Sequence, residues 1–244
     1  MDAWGLTDVG LIRPQNQDSF LIELLPETGQ ALCVVCDGMG GARGGNVASG
    51  LASAVFIEEA RRRLRPELKP QKMESLLQEA VNAANSAVWR KSHESADYTG
   101  MGTTLVALLS SGDRIAVINV GDSRAYLISS KGISLITRDH SLVADMVRRG
   151  ELTPEEARVH PNRNLITRAL GTGQSVKGDF FSMDLRPGEN ILLCTDGLSN
   201  MLSDQEILFD VIHGGEKSLC CRRLIDIALK RGAPDNVTVV LFEK

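Results

Sequence analysis

The short spacing between several strand-like runs is the feature that most constrains the fold of this chain. The run "TTLVALLS" is separated from "RIAVINV" by the turn at 111–113, and the turn at 129–132 leads from "RAYLISS" into "GISLIT". Gaps this short suit hairpins, whereas a parallel crossover needs roughly a dozen residues or more. These runs are therefore predicted to form antiparallel β-sheet.

Helical periodicity is found in the segments between the strand clusters. Apolar residues recur at helical spacing over 46–64 and 71–89, and a further helix is predicted over about 217–230. Thr153 and Ser203 each begin a capping-box pattern. Strands and helices do not alternate as in a doubly wound parallel sheet. The order predicts an α+β fold in which helices cover antiparallel sheets.

Composition excludes several classes of protein. The chain has 244 residues, a net charge of −4 and a pI of about 5.6, which does not suit a nucleic-acid binder. The densest basic run, 61–65, follows a helical pattern and is predicted to be a solvated helix end. No apolar stretch approaches the roughly 18 residues of a membrane span. We expect neither nucleic acid nor membrane as a partner.

The five cysteines indicate a reducing compartment. The N-terminus lacks the basic start and long apolar centre of a signal peptide, and an odd number of cysteines then suits free thiols. Cys33 and Cys36 lie inside the apolar run "ALCVVC" with no second pair at zinc spacing. They are predicted to be buried structural residues of a cytoplasmic protein.

Four aspartates lie at the ends of strand-like runs. Asp37 follows "ALCVVC" and Asp196 follows "NILLCT", each with a glycine after it. Asp122 follows "RIAVINVG", and Asp235 precedes "NVTVVLF". Because aspartate is disfavoured inside strands, a plain turn accounts for any one of them. The repeated Asp-Gly ending instead indicates an edge at which the carboxylates meet.

The glycine-rich stretch "VVCDGMGGARGG", residues 34–45, is first tested as a phosphate-binding loop. The dinucleotide pattern lacks its acidic residue on a second parallel strand, and the triplet G-K-[ST] does not occur. The carboxylate of Asp37 is therefore more informative than the glycines. These would let backbone approach a metal ion closely, and the carbonyl of Gly38 is itself a candidate ligand.

Clustered carboxylates require compensation. Two unit charges about 4 Å apart repel by roughly 4 kcal/mol at an effective dielectric of 20, so either the pKa values rise or cations bind. Oxygen ligands suit Mn²⁺ or Mg²⁺, and the four histidines show no zinc-ligand spacing. Two such ions activate water and neutralise phosphoryl charge. Arg13 is a candidate phosphate-binding residue, with an ordinary surface arginine as the alternative.

Eight motifs then resemble those of the metal-dependent protein serine/threonine phosphatases of type 2C, in their bacterial single-domain form. They are "RPQNQDS" (13–19), "CDGMGG" (36–41), "GMGTT" (100–104), "NVGDSRAY" (119–126), "RDHS" (138–141), "NLITRALG" (164–171), "CTDGL" (194–198) and "PDNVTVV" (234–240). The resemblance implies a four-layer αββα fold: two antiparallel β-sheets in a sandwich flanked by helices, as one catalytic domain over 1–244.

The resemblance also implies which residues hold the ions. Asp37 matches the residue that bridges two ions, and the carbonyl of Gly38 matches a ligand of the first. Asp196 and Asp235 match ligands of the second ion. Asp122, together with Asp196, matches a ligand of a third ion bound by bacterial members. Two Mn²⁺ or Mg²⁺ ions per site are therefore expected, with or without a third.

Further positions follow from the same resemblance. Arg13 matches the phosphate-binding arginine, and Asp18 matches an acid that orients metal-bound water. The polar, interrupted insert over about 141–165 matches a flap that contributes to substrate choice. Phosphorylated proteins are then the implied substrates, and a Ser/Thr protein kinase and its targets are the implied partners. The protein is expected to be a monomer.

One departure concerns the proton for the leaving group. Family members carry a histidine after "DGMGG" or just after "DG", where this chain has Ala42 and Met39. The nearest alternatives, Arg43 and Asn46, are not acids at neutral pH. A positioned acid contributes roughly 10²–10⁴-fold. We expect either a metal-bound water in that role or slower turnover of poor leaving groups.

The leading hypothesis is hydrolysis of protein phosphoserine and phosphothreonine by a metal-activated water without a covalent intermediate. One alternative keeps the enzyme and changes the substrate, to a regulator of transcription-factor partner switching or to small phosphomonoesters. Another is a catalytically silent binding module. The intact Asp37, Asp196, Asp235 and Arg13 argue against a silent module.

Overall fold

The computed structural model describes residues 1–66 and 68–244, with the side chains of all of these except 41–43 and 70. The strands are β1 (Asp2–Asp8), β2 (Asp18–Leu25), β3 (Gln30–Met39), β4 (Gly102–Thr103), β5 (Leu105–Ser111), β6 (Arg114–Val120), β7 (Arg124–Ser129), β8 (Gly132–Leu135), β9 (Asp179–Asp184), β10 (Asn190–Cys194) and β11 (Val237–Glu243). The helices are α1 (Gly41–Arg63), α2 (Pro70–Ser92), α3 (Leu142–Arg148), α4 (Pro154–Val159), α5 (Asp196–Ser199), α6 (Asp204–His213) and α7 (Cys220–Lys230).

The strands form two antiparallel sheets. The first has the order β1-β11-β10-β7-β8, and the second has the order β2-β3-β5-β6-β9, with the short β4 paired to the end of β3. The first and last strands of the chain are neighbours, in a register that runs from Asp2 opposite Glu243 to Asp8 opposite Val237. The C-terminal strand therefore lies inside the first sheet, between β1 and β10.

Three buried apolar clusters show how the layers pack. The cluster around Phe56 and Leu77 fills the space between the long helices α1 and α2 and the second sheet. A cluster around Val106 and Phe242 lies between the two sheets. The third, around Leu224, lies between the first sheet and α5–α7. The order helix, sheet, sheet, helix confirms the predicted four-layer sandwich, and the apolar faces of both sheets explain it.

Most predicted elements are present, and the differences are local. Both short gaps are hairpins, β5–β6 and β7–β8. Both capping boxes are formed, at Thr153 and Ser203. The first long helix begins at Gly41 rather than 46, and a 3-10 turn over Lys217–Leu219 precedes α7. The insert at 141–165 contains α3 and α4.

Two strands and a short helix were not predicted. Both β1 and β9 begin and end with an aspartate, and they gain their hydrogen bonds from β11 and β6, which are distant in sequence. The four-residue α5 is too short to show a period. Within the described part of the chain, no helix combines the length and the apolar character that crossing a bilayer requires.

Candidate active site

The two sheets bring the predicted carboxylates to one edge of the sandwich. Asp18 and Asp37 face each other directly across β2 and β3 of the second sheet. Asp196 is the first residue of α5, just after β10, and Asp235 precedes β11, both in the first sheet. Asp122 lies in the turn between β6 and β7. Antiparallel order explains the convergence, because β2 and β11 begin where β3 and β10 end.

Electrostatics shows that these side chains interact. Burial, followed by repulsion from the other four aspartates, raises the pKa of Asp37 well above its ordinary value. Burial also raises the pKa of Asp18 and of Asp122 to about 7, and that of Asp196 to about 6. Repulsion from Asp235 adds to the rise at Asp18 and Asp196. In the absence of cations, the cluster therefore retains protons near neutral pH.

A hydroxyl network joins the two sheets at Asp18. Its Oδ2 accepts hydrogen bonds from Thr195 Oγ1, just after β10, at 2.9 Å and from Thr238 Oγ1, in β11, at 2.7 Å. Thr238 Oγ1 also lies 2.7 Å from Thr7 Oγ1, which accepts a bond from Asn16 Nδ2 at 2.8 Å. Because each hydroxyl has one proton, the donors point in series toward Asp18. The network fixes the orientation of this carboxylate.

Two carboxylate oxygens in the cluster have no donor. Oδ1 of Asp18 and Oδ1 of Asp196 are buried without a hydrogen-bond partner among the described atoms. Buried acceptors in a cluster of like charge are costly unless a donor or cation satisfies them. Because the candidate ligand atoms are all oxygens, the cluster fits a hard divalent cation.

The cluster is nevertheless not a closed cage for one ion. Among the side chains that the structure describes, no three histidines, cysteines or acidic residues are arranged as a ligand set for a single metal. Small hard ions such as Mg²⁺ keep several water ligands and take only one or two carboxylates each. The aspartates are therefore compatible with a hydrated site shared between ions.

The glycines beside Asp37 serve close backbone packing. A Cβ on Gly38 would lie 2.0 Å from the carbonyl oxygen of Gly45, and one on Gly45 would lie 2.8 Å from that of Gly38. The end of β3 thus contacts the first turns of α1 directly. Gly197, after Asp196, is equally constrained, since its Cβ would lie 1.9 Å from the carbonyl oxygen of Asn236. These contacts explain both Asp-Gly pairs, and a metal ligand at the Gly38 carbonyl stays a prediction.

Arg13 lies at the rim of the cluster. Its Nη2 donates a hydrogen bond to Asp235 Oδ2 at 2.8 Å, and its side chain is 52% exposed. The loop that carries it is fixed by Asn236, whose amide donates to the carbonyls of Val9 and Gln15 and accepts from the amide of Gln17. The guanidinium is therefore held beside the carboxylates with one face open to solvent.

The turn that carries Asp122 is held from the far side. His140 Nδ1 accepts a hydrogen bond from the backbone amide of Gly121 at 3.0 Å, so its proton is on Nε2. Nε2 lies 3.3 Å from Asp179 Oδ2. Desolvation by burial lowers the pKa of His140. The imidazole therefore supports the turn and does not donate a proton into the cluster.

The positions of the family histidine carry no acid that the structure describes. Met39 ends β3, and Asn46 lies in α1. The side chains of Ala42 and Arg43 lie outside the described residues. The expectation of slower turnover of poor leaving groups therefore stays a prediction.

Thr195, Thr238 and Asn236 are residues that sequence reasoning passed over. Each lies inside a quoted motif, where the surrounding apolar run predicts only a strand. Their polarity is the usable signal: all three are buried, and a buried polar side chain in an apolar strand needs a specific partner. Here the partners are Asp18 and the loop that carries Arg13.

A sequence model of the family described as protein phosphatase 2C matches residues 14–219. The chain belongs to this family. Serine/threonine protein phosphatase PstP of Mycobacterium tuberculosis is 40% identical over 237 residues, covering 97% of this chain and 44% of that protein. Serine/threonine phosphatase stp of Listeria monocytogenes is 35% identical over 246 residues, covering 100% and 96%. The chain thus spans less than half of the mycobacterial protein.

Solved structures of the protein phosphatase 2C family share this fold. The crystal structure of the catalytic domain of PstP in complex with two manganese ions matches with a TM-score of 0.84 and 38% identity, over 98% of this chain and 96% of that one. The family and the sandwich fold predicted from the motifs are confirmed. The predicted enzyme class, a serine/threonine protein phosphatase, agrees with the names of these relatives.

Proposed function

We propose that this chain hydrolyses phosphoserine and phosphothreonine in proteins with the help of two Mn²⁺ or Mg²⁺ ions. The observation that carries the proposal is the cluster of five aspartates from both sheets, four with raised pKa values. The names of its relatives give the substrate class, and the PstP complex gives the number of ions.

We assign the ions to the residues of this edge. Asp37 would bridge two ions, with the carbonyl of Gly38 on the first and with Asp196 and Asp235 on the second. Asp122 would hold a third ion together with Asp196. When bound, such ions lower the pKa of a water and neutralise charge on the phosphoryl group.

The remaining work falls to the chain's own side chains. Arg13 would bind two phosphate oxygens through its planar guanidinium, with Asp235 keeping it at the rim. Asp18 would accept a hydrogen bond from the attacking water through Oδ1 and so orient it, since Oδ2 is already occupied by two threonine hydroxyls. Both roles are positioning and charge stabilisation, which dominate phosphoryl transfer.

A thiol route has no support in this chain. All five cysteines are buried, and burial raises the pKa of each thiol. The thiolate is the nucleophilic form, so these groups are unreactive at neutral pH. Direct attack by water without a covalent phosphoenzyme is therefore the route that suits the residues present.

The test is hydrolysis of para-nitrophenyl phosphate and of a phosphothreonine peptide with Mn²⁺, with Mg²⁺ and with excess chelator. We expect turnover of both substrates with metal and none with chelator. Activity that persists in chelator would refute the proposal, and turnover of the small ester alone would restrict it to phosphomonoesters. Binding of the peptide without turnover would indicate a silent binding module.

We further propose one catalytic domain over 1–244, a flap at 141–165 that selects substrates, and action as a monomer in the cytoplasm opposite a Ser/Thr protein kinase. The free, buried cysteines support a reducing compartment. The neighbouring position of the first and last strands supports one domain. Sedimentation of the purified protein tests the monomer.

A further inference from the structure

An exposed apolar pair borders the candidate phosphate site. Leu11 and Ile12 are 61% and 71% exposed, and they immediately precede Arg13. A single exposed apolar side chain is ordinary and needs no explanation. Here two exposed apolar side chains lie in succession directly before Arg13. Among the described ion pairs, Arg13 is the one side chain that pairs with Asp235.

The loop presents this pair rigidly. The Leu11 amide donates to the Ala233 carbonyl at 2.9 Å, and the Gly10 amide donates to Asp8 Oδ1 at 2.9 Å. Gly10 has a φ of +76°, and a Cβ there would lie 2.2 Å from the Asp235 carbonyl oxygen. The backbone therefore packs tightly on the segment that carries Asp235, while the two side chains face solvent.

We infer that Leu11 and Ile12 bind a large apolar side chain next to the phosphorylated residue of a protein substrate. This inference rests on the proposed function. With the phosphate on Arg13, residues one or two positions away lie about 4–8 Å along the peptide, since consecutive Cα atoms are 3.80 Å apart. Leu11 and Ile12 lie two and one positions before Arg13, so a peptide that runs along this loop with its phosphate at Arg13 brings its flanking side chains beside them.

The charge of the loop favours the same class of substrate. Between Asp8 and Asp18, Arg13 is the one charged residue, and the others are apolar or neutral polar. The loop therefore has a partner for the phosphate and none for a charged neighbour of the phosphorylated residue. Burial of an aliphatic side chain against Leu11 and Ile12 is therefore the selectivity that this loop itself can supply.

The experiment compares two phosphothreonine peptides that differ only in the flanking residues, leucine in one and serine in the other, with Mn²⁺ present. We expect the wild-type kcat/KM to favour the leucine peptide about tenfold, which corresponds to about 1.4 kcal/mol. The double variant L11S/I12S should bring the ratio within about twofold, and I12S alone should give an intermediate ratio. The ratio cancels any general loss of activity.

Phe209→Ser is the matched control. Phe209 is 66% exposed on α6, away from the loop, and its variant should keep the wild-type ratio. Equal kcat/KM for both peptides in the wild type would overturn the inference alone, whereas no turnover of either peptide would overturn the proposed function with it. A wild-type dimer that L11S/I12S converts to monomer, with an unchanged ratio, would show an interface between copies instead.

Discussion

Two groups of buried or half-buried acids in this protein differ in how their charge is compensated. Asp210 in α6 accepts hydrogen bonds from Arg223 Nε at 3.0 and 3.2 Å and from Nη2 at 3.0 Å. Asp139 is held in the same way by Arg124, with Nη2 2.7 Å from Oδ2. At the candidate site, Asp37 has no such partner among the described ion pairs, and four aspartates repel it.

The difference separates structural charge from functional charge. A buried acid with a bidentate arginine is neutralised within the fold, and removing its partner is what destabilises it. The site carboxylates instead have their charge neutralised by bound protons or by added cations. Their cost to the metal-free fold is offset by the apolar layers on both sides of the sheets. The contrast predicts that removing the carboxylate charge stabilises the metal-free fold at Asp37 and destabilises the fold at Asp210.

The largest effect is expected from Asp37→Asn. It should reduce metal-dependent turnover of a phosphothreonine peptide by more than about 10³-fold, because the predicted bridging charge is lost. In chelator, the same variant should melt at a higher temperature than wild type, since an uncompensated carboxylate is removed. An activity assay with metal measures the loss of turnover, and thermal melting in chelator measures the gain in stability. A lower melting temperature in chelator would contradict the comparison.

The pH dependence of stability comes next. The pKa values of about 7 at Asp18 and Asp122 and about 6 at Asp196 exceed the ordinary 3.8, so the folded state holds these protons more tightly. The stabilisation that these raised pKa values give to the folded state is fully present below about pH 4. It is lost as pH rises through 6–7, at about 1.4 kcal/mol of unfolding free energy per pH unit per group. His140, with its lowered pKa, opposes this as a single group.

Chelated protein should therefore melt several degrees lower at pH 8 than at pH 5. Saturating Mn²⁺ should raise the melting temperature more at pH 8 than at pH 5, because it binds the ionised form. Calorimetry across this range, with Asp37→Asn in parallel, makes the measurement. A melting temperature of chelated protein that rises between pH 5 and 8 would show that the cluster does not retain protons.

Asp210→Ala tests the compensated group. It should lower the free energy of unfolding by about 2 kcal/mol, below the usual 3–5 kcal/mol for a buried pair, because Arg223 is partly exposed and can turn to water. Phosphatase activity per folded molecule should not change. Urea unfolding measures the loss, with the exposed Glu58→Ala as control. A loss equal to that of the control would remove Asp210 from the structural group.

Arg13→Ala tests the one positive side chain that pairs with a site carboxylate among the described ion pairs. It should raise KM about tenfold and lower kcat less, because phosphate binding loses a bidentate partner. Metal affinity, measured by titration calorimetry, should be unchanged or higher, since Asp235 loses its compensating charge. Arg13→Lys should be intermediate. A selective fall in kcat would place Arg13 in the chemical step instead.

The smallest effect is expected from Thr238→Val. It removes one donor to Asp18 and the partner of Thr7, and should cost about 1–2 kcal/mol of stability and reduce kcat several-fold. Thr238→Ser keeps the hydroxyl and should restore kcat. If valine and serine gave the same kcat, the orientation of Asp18 would not depend on this network.

Asp37, Asp122, Asp196 and Asp235 could be predicted because each lies at one end of an apolar run, where aspartate has a local reason to be noticed. Asp18 followed only from the resemblance to the family. Thr238 could not be predicted, since threonine is a normal strand residue and only the opposite sheet shows that its hydroxyl contacts Asp18. The same holds for Asn236, whose partners lie in the loop before β2. Polar contacts between distant segments have no local pattern.

The fold shows the same division. The hairpins and long helices follow from local spacing and periodicity. By contrast, β1 pairs along its whole length with the last strand of the chain, and β9 pairs with β6. Strands of this kind are stabilised by neighbours far away in sequence, so local spacing does not identify them.

The central position of β11 in the first sheet sets the order in which the cluster can assemble. Asp18 and Asp37 leave the ribosome well before Asp235 and Thr238, which lie far along the chain. β1 has no hydrogen-bonded neighbour in its sheet until β11 arrives. A nascent chain therefore holds its first acids without their partners from β11, and the capacity for a cation cluster appears only once β11 has been synthesised.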